Sequence, residues 1–558
     1  MHLNSLIPIS MLLASVSYAS PTRTPKLPVV DLGYERHAAM SYNSSTGVYQ
    51  FSNIRYAQTP VGDLRFRAPQ PPLTNRHEIQ NGSQPRTCPQ GVPDWQAKAY
   101  GPIGAFTSGG KPFTLEAWEQ AIRNSSVPPI DFNKGTTEDC LVLDVHVPKK
   151  IFKSKCGAPV LVWIHGGGYA FGSKNGYPNP GFVPSGLLEH AKEFSDRGMI
   201  FVGLNYRLGA LGFLSGQEVQ KDGDQNAGLL DQRLALQWVQ DNIHLFGGSR
   251  DKVTVMGESA GGGSVLLHMT GPPNSTNIKA PFAQAIIQSP ALVSNLEVPE
   301  SGYAGFLSKL NVSSLADARK LSSEAIIRGN AAHLASAPDT TSIHGPVVDS
   351  KTAPDTLYRS FKNGAFDKSV RLLTAHNSFE GGFFFDPTVK TEEQLDSWIQ
   401  KSLPGFTKND REHLAKDLYP FNASLGDVAQ GSRQRAIWGD ALIDCTFLTA
   451  HEAFGGNSYA YLFDVSPGIH IQDLKYTFND PTSPAPRPIA QDILQRAIAS
   501  FTIKGEPVTK SNGTYEAFPT WGSGKSLVRI NGDGFSVGTN VVNETRCAWW
   551  QSGYELAQ

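Results

Sequence analysis

No block of basic residues stands out in this chain, whose formal net charge is −1 with a pI near 6.9. Electrostatics give no reason to expect a nucleic acid or an anionic membrane surface as a partner. No stretch after Ser20 reaches the length of a transmembrane helix, so no integral membrane segment is expected. Internal repeats, a phosphate-binding P-loop and low-complexity tracts are missing, and with them the sequence basis for a solenoid or for nucleoside-triphosphate chemistry. No cofactor and no metal site are expected. Cysteine is scarce, with five residues at Cys88, Cys140, Cys156, Cys445 and Cys547. In an oxidising compartment that number predicts two pairs and one leftover thiol, and the spacing alone does not assign them.

Hydrophobic residues make up 40% of the 558 and charged ones 18%, which suits a folded chain with a large core. The first residues differ from the rest. Leu6 to Val16 is mostly apolar, with only His2 before it, and Ser17-Tyr18-Ala19 places small residues at the −3 and −1 positions of a cleavage site. This predicts a secretory signal peptide over residues 1–19, with a mature chain starting near Ser20. A membrane anchor is the bland alternative, but the run is too brief to span a bilayer. Eight N-x-S/T sequons, at Asn43, Asn81, Asn124, Asn274, Asn311, Asn422, Asn512 and Asn543, fit a secretory route.

The densest chemical signal is Val253 to Ser264, VTVMGESAGGGS. Alternating apolar residues predict a short buried strand, and the small residues followed by Val265, Leu266 and Leu267 predict a packed helix. Between them Gly257, Glu258, Ser259, Ala260 and Gly261 form G-x-S-x-G. A strand that turns this sharply into a helix crowds its own backbone, and a Cβ at Gly257 or Gly261 would obstruct it. Ser259 is left at the tip in a strained conformation, above a helix end with free N–H groups and a partial positive charge. Such a serine is placed for nucleophilic attack on a carbonyl. A Gly-rich turn with an incidental serine is the alternative on this stretch alone.

Upstream, residues 28–75 predict strands and turns, with VYQFSNIRYAQTPVGDLRF punctuated by Pro60 and Gly62. A long Gly/Pro-rich segment separates Cys88 from Cys140. Within it PFTLEAWEQAIRN has helical spacing with Thr114 as N-cap. It predicts either a flap over a site or an inert surface excursion. Leu141 to Val147 and Pro159 to Ile164 predict buried strands, and the second runs into His165-Gly166-Gly167-Gly168-Tyr169. Three glycines after a buried strand predict an anion-stabilising loop, with a bland glycine loop as the alternative. Met199 to Leu204 predicts a strand and Asn226 to Ile243 an amphipathic helix. Strands are also predicted at Ala283 to Gln288, Val370 to Thr374, Tyr459 to Asp464 and 527–530. Residues 300–345 and 390–456 are predicted mostly helical. The alternation argues a doubly wound α/β sheet.

A nucleophilic serine needs an acid and a histidine, in that chain order for this kind of sheet. Glu380 is the preferred acid, at the carboxyl end of a predicted strand and beside Gly381 and Gly382; Asp349 competes. Of the three histidines after Glu380, His413 and His451 sit in helical patterns, and His470 follows a strand on a Pro-Gly loop. His165 and His376 lie before the acid, and His165 is predicted to order the glycine loop. The predicted set is Ser259, His470 and Glu380, with an oxyanion hole at Gly167, Gly168 and Ala260.

These residues resemble the type-B carboxylesterase and lipase family, which includes the cholinesterases. The resemblance rests on GESAGG, HGGG, NYRLGALGFL at 205–214, NAGLLDQRLALQWVQDNI at 226–243, NSFEGG at 377–382, TTEDCLVLDV at 136–145 and CAWW at 547–550, and runs from about residue 28 to the end. It implies one α/β-hydrolase domain over residues 20–558, acting on a small-molecule ester, and supports the triad and oxyanion roles. It also implies pairs Cys88–Cys140 and Cys445–Cys547 with Cys156 free, each cross-link worth about 4 kcal/mol at most on chain-entropy grounds. Glu258 and Ser289 match supporting positions behind the family's triad, and Arg65 and Glu138 a salt bridge at the base of the disulfide loop.

The chain departs from cholinesterases where a choline-binding tryptophan lies near the end of the first disulfide loop. Here that region reads SSVPPIDFNKGTTED, and Trp95 and Trp118 lie earlier. The resemblance is closer to secreted microbial esterases and lipases. Tyr169, Phe171 and Phe383 to Phe385 line a pocket or pack in the core. The leading expectation is a secreted serine carboxylester hydrolase. The alternatives are an acyltransferase or a lactone-forming enzyme of a specialised-metabolite pathway, and a non-catalytic binding protein on the same fold. Substrate, chain length and oligomeric state are left open.

Overall fold

A computed structural model describes residues 27–553 except 109–111, 127–133, 156, 177–180, 274, 276, 293–299, 339–342, 350, 479–484 and 512. The predicted signal peptide, Cys156, Asn274 and Asn512 lie outside the described residues. Among the described residues the central sheet has eleven strands. In chain order they are β1 (Ser41–Asn43), β2 (Val48–Arg55), β3 (Val142–Pro148), β4 (Ala158–Ile164), β5 (Ile200–Leu204) and β6 (Gly248–Glu258). Then come β7 (Gln284–Gln288), β8 (Arg371–Asn377), β9 (Ser458–Phe463), β10 (Ser526–Ile530) and β11 (Phe535–Thr539). Across the sheet the order is β11-β10-β9-β8-β7-β6-β4-β5-β3-β2-β1. The strands from β10 to β5 in that order run parallel, and the flanking pairs are antiparallel.

The strand sequences explain the layering. In β4, AlaProValLeuValTrpIle, every residue is buried. Val160, Val162 and Ile164 point into one core while Leu161 and Trp163 point into another on the opposite face. A strand covered on both faces needs apolar residues at every position rather than at alternate ones. The α/β-hydrolase fold expected from the sequence is the fold observed.

Several boundaries differ from the sequence reading. Strand β8 continues three residues past Thr374 to Asn377, because the polar His376 and Asn377 are buried and hydrogen-bonded rather than solvated. The sheet ends in β11, whose exposed, mixed sequence FSVGT carries no buried-strand signal. The segment between the first two cysteines holds two short helices that its Gly/Pro content concealed, α1 (Asp94–Tyr100) and residues Ile103–Thr107. The expected helix follows as α2 (Leu115–Arg123), with the Thr114 hydroxyl accepting from the Ala117 amide at 3.2 Å.

Both disulfides pair as the resemblance implied, Cys88–Cys140 and Cys445–Cys547. The six described sequon asparagines, Asn43, Asn81, Asn124, Asn311, Asn422 and Asn543, are all exposed. At the base of the first disulfide loop Arg65 grips Glu138 with two hydrogen bonds of 2.8 and 2.7 Å, and both side chains are buried. Arg65 also donates to the carbonyls of Arg319 and Leu321, tying the loop to a distant helical segment. Removing one partner leaves a buried charge without a counter-ion. Glu138→Ala is therefore expected to cost about 3–5 kcal/mol, read as a lower denaturant midpoint, while Glu138→Gln costs less.

Candidate active site

The turn after β6 carries the site. Ser259 has φ 55° and ψ −124°, and α3 (Ala260–Met269) begins at the next residue. A side chain in that region of backbone space is strained by about 1–3 kcal/mol and persists because the surroundings leave no alternative. A Cβ on Gly261 would overlap the carbonyl of Ile164 at the end of β4, and one on Gly257 would overlap the Gly261 carbonyl. The Ser259 amide donates to the Gln288 carbonyl at 3.0 Å, and its carbonyl accepts from Gly263 and Ala291 at 2.9 and 3.0 Å. The hydroxyl is thereby held at the end of the strand.

Its neighbours come from adjacent strands. Beyond β8 the chain turns at Glu380–Phe383, and Glu380 Oε2 lies 2.6 Å from His470 Nδ1. His470 Nε2 lies 2.8 Å from Ser259 Oγ. All three residues are buried. His470 follows β9, and its loop is laid against the acid loop: the Phe379 amide donates to the Gly468 carbonyl at 2.7 Å, and Phe379 bridges Ile469. Gln472 Oε1 accepts from the Gly468 and Ile469 amides at 2.9 and 3.2 Å, closing the loop from behind.

Glu380 Oε1 accepts from the Ser289 hydroxyl at 2.6 Å and from the Asn377 amide. Burial alone would raise the pKa of Glu380, but His470, Ser289 and Asn377 outweigh it, so the carboxyl is held below its usual range. Burial also opposes an imidazolium at His470, yet Glu380 and Glu258 outweigh it and raise its pKa to about 8. Glu258 Oε1 sits 3.6 Å from His470 Nε2. Burial pushes the Glu258 carboxyl up to about 8, against the pull of His470.

Opposite the serine, the loop after β4 is fixed by His165. Its Nδ1 lies 2.9 Å from the Gly166 carbonyl and its ring stacks on Tyr206 at 4.4 Å. Burial lowers its pKa to about 4, which keeps the ring neutral with Nδ1–H as donor. Gly167 and Gly168 take φ values of 104° and 59°. Among the described residues, the amides of Gly167, Gly168 and Ala260 donate to no protein acceptor. All three residues line a cavity of about 620 Å³ that also reaches Ser259 and His470.

The competing residues have other employment. Asp349 Oδ1 accepts the amides of Lys351, Thr352 and Ala353, capping its own turn. His413 pairs with exposed Asp417 at 2.7 Å, and His451 is buried, stacked on Trp521 at 3.9 Å. His376 pairs with Asp444 at 3.3 Å. Tyr169, Phe171 and Phe384 line the cavity; Phe383 and Phe385 are buried in the aromatic core behind it. Trp95 in α1 lines the cavity, whereas Trp118 in α2 is buried and donates to the Gly382 carbonyl at 2.7 Å, beneath the acid turn. Sequence reading missed Gln472, the Asn377 amide, and Gln96 and Tyr100 of α1, which also face the cavity. The four-residue spacing of the last two was the available signal, masked by the short helix around it.

The sequence profile of the carboxylesterase family matches residues 36–550. Over 548 residues the chain is 36% identical to carboxylesterase patB of Penicillium expansum, covering 94% of this chain and 96% of that protein. It is 34% identical over 378 residues to lipase 1 of Geotrichum candidum, 63% of each chain. The solved structure of Aspergillus niger EstA superposes with a TM-score of 0.78 at 26% identity, covering 95% of this chain and 99% of that one. With its fold, its serine turn and these matches across nearly its whole length, the chain belongs to the carboxylesterase family and is a carboxylic ester hydrolase.

Proposed function

We propose that this hydrolase cleaves esters through an acyl-enzyme on Ser259. The observation that carries the reading is the continuous relay from Glu380 Oε2 to His470 Nδ1 at 2.6 Å and from His470 Nε2 to Ser259 Oγ at 2.8 Å, on the wall of the cavity. His470 takes the hydroxyl proton as Oγ attacks the ester carbonyl carbon. Glu380 holds the imidazole in the Nδ1–H tautomer and stabilises the imidazolium. The amides of Gly167, Gly168 and Ala260 receive the oxyanion. His470 then returns the proton to the leaving alcohol, and water repeats the sequence on the acyl-enzyme. Loss of one oxyanion donor costs about 10²–10³ in turnover in comparable hydrolases.

The secretory route belongs to the same proposal. It is supported by the apolar Leu6–Val16 run, two disulfides and the exposed sequon asparagines. The expected result is protein in the culture medium that starts near Ser20 and loses mass on enzymatic removal of N-glycans. Intracellular protein that retains Met1 and is unchanged by the treatment contradicts it.

Two kinetic outcomes follow. Ser259→Ala is expected to lower turnover of p-nitrophenyl esters by at least about 10⁴-fold with the fold retained; a variant that keeps its rate refutes the assignment. The base must be neutral to act, and its pKa is raised to about 8. kcat/KM is therefore expected to rise with pH through a limb above the ordinary histidine value. Glu258 ionises in the same range, near 8, and its carboxylate favours the imidazolium, so Glu258→Gln moves the limb to lower pH; a limb that stays or moves up contradicts the electrostatic account.

A further inference from the structure

Outside the triad the cavity wall is aromatic and apolar. Trp95, Phe171, Phe182, Phe384 and Trp438 supply much of it, and the described lining residues include no lysine, arginine or aspartate. Their one carboxyl group is that of Glu258, which burial favours in its neutral form. A charged substrate body entering this space loses hydration and, among the described lining residues outside the triad, meets no lysine, arginine or aspartate, whereas a neutral one loses little. Such a wall favours a neutral ester over a charged one.

Polar residues interrupt it at His165, His344, Ser402 and, on α1, at the pair Gln96 and Tyr100. Gln96 and Tyr100 lie one turn apart on α1, with Gln96 Nε2 3.1 Å from the Tyr100 hydroxyl, and both residues line the cavity. The Tyr100 ring packs against Phe171 at 5.8 Å and Phe383 at 5.2 Å, and Phe383 is 5.9 Å from the His470 ring. The pair is thus held one ring away from the base. Burial raises the pKa of Tyr100, so it stays a phenol. Among the described residues neither side chain has another hydrogen-bond partner.

The chemistry left over is the same for either orientation of the carboxamide. If its NH₂ donates to the phenol oxygen, Gln96 Oε1 is left to accept and the Tyr100 O–H to donate. If the carboxamide is turned over, the phenol donates to Oε1, leaving the phenol oxygen to accept and the NH₂ to donate. Both arrangements present at least one donor beside an acceptor. A neutral hydroxyl, which donates and accepts through one atom, complements that pair; an alkyl chain strands both groups.

We propose that Gln96 and Tyr100 form a recognition site for a hydroxyl group on the ester substrate, making this enzyme selective for neutral hydroxylated esters. The proposal rests on the reading of Ser259 as nucleophile, since it places the hydroxyl relative to that atom. A cavity site built to hydrogen-bond a substrate hydroxyl discriminates strongly against the analogue that lacks it, because its own polar groups are then left unpaired.

The experiment compares matched esters with and without the hydroxyl. On the acyl side these are p-nitrophenyl hexanoate and octanoate against their ω-hydroxy counterparts; on the alcohol side, ethyl benzoate against 2-hydroxyethyl benzoate. The quantity read is the ratio of kcat/KM, hydroxylated over plain. The expected ratio for the unmodified enzyme is about tenfold or more on at least one pair, falling about tenfold in Gln96→Leu and in Tyr100→Phe. A ratio near one on every pair overturns the proposal, as does a preference that survives both substitutions. Neither outcome touches the role of Ser259, which fails separately if Ser259→Ala still turns over these esters.

Discussion

The whole site depends on a backbone contact with no room for a side chain. Where β6 turns into α3, residues Gly257 and Gly261 meet each other and the end of β4 so closely that a Cβ on either would collide with a carbonyl. That contact drives Ser259 to φ 55° and points its hydroxyl out of the sheet end. The same turn leaves the first amides of α3 without helical acceptors. The strain is local and the benefit is geometric: an outward-pointing serine hydroxyl and free backbone amides arise from one bend.

The parallel sheet does the rest. Reading across it, β9, β8, β7, β6 and β4 are neighbours, and their carboxyl ends carry in turn His470, Glu380, Ser289, Ser259 and the His165–Gly168 loop. Parallel strands lie about 4.8 Å apart, so residues hundreds of positions distant in sequence are delivered to hydrogen-bond range. Loop contacts then set the final distances: the acid and histidine loops bond to each other through Phe379 and Gly468, and Gln472 closes the second. Charge is handled in the same economy. Glu380 meets donors from three residues and stays ionised, while Glu258, at similar burial but with no hydrogen-bond partner on Oε1, is pushed toward its neutral form. Two buried carboxyls beside one imidazole are thereby driven to different protonation states by the number of donors each meets.

Much of this was legible in the sequence because it is encoded locally. Gly257-Glu258-Ser259-Ala260-Gly261 announces its own turn, His165 to Gly168 follows an all-apolar strand, and the chain order of acid and histidine singles out Glu380 and His470. The pairing of the cysteines came from family resemblance, since spacing does not constrain it. What stayed hidden is set by tertiary contact. The cavity-facing role of α1 depends on where a Gly/Pro-rich segment is draped. Trp118 finds its acceptor at Gly382, 264 residues away. Asp349 looks like an acid until its carboxylate is seen capping three amides of its own turn. β11 was missed because an exposed edge strand needs no apolar alternation to pair.

If this geometry activates Ser259, that serine alone reacts with an organophosphate. Labelling the protein with diisopropyl fluorophosphate and mapping the adduct by peptide mass spectrometry tests it directly. The account predicts one phosphoryl adduct per chain, on the peptide containing Ser259, formed faster as pH rises through the His470 titration and abolished in His470→Ala. An adduct on another residue, or ester turnover that persists while Ser259 stays unlabelled, contradicts it.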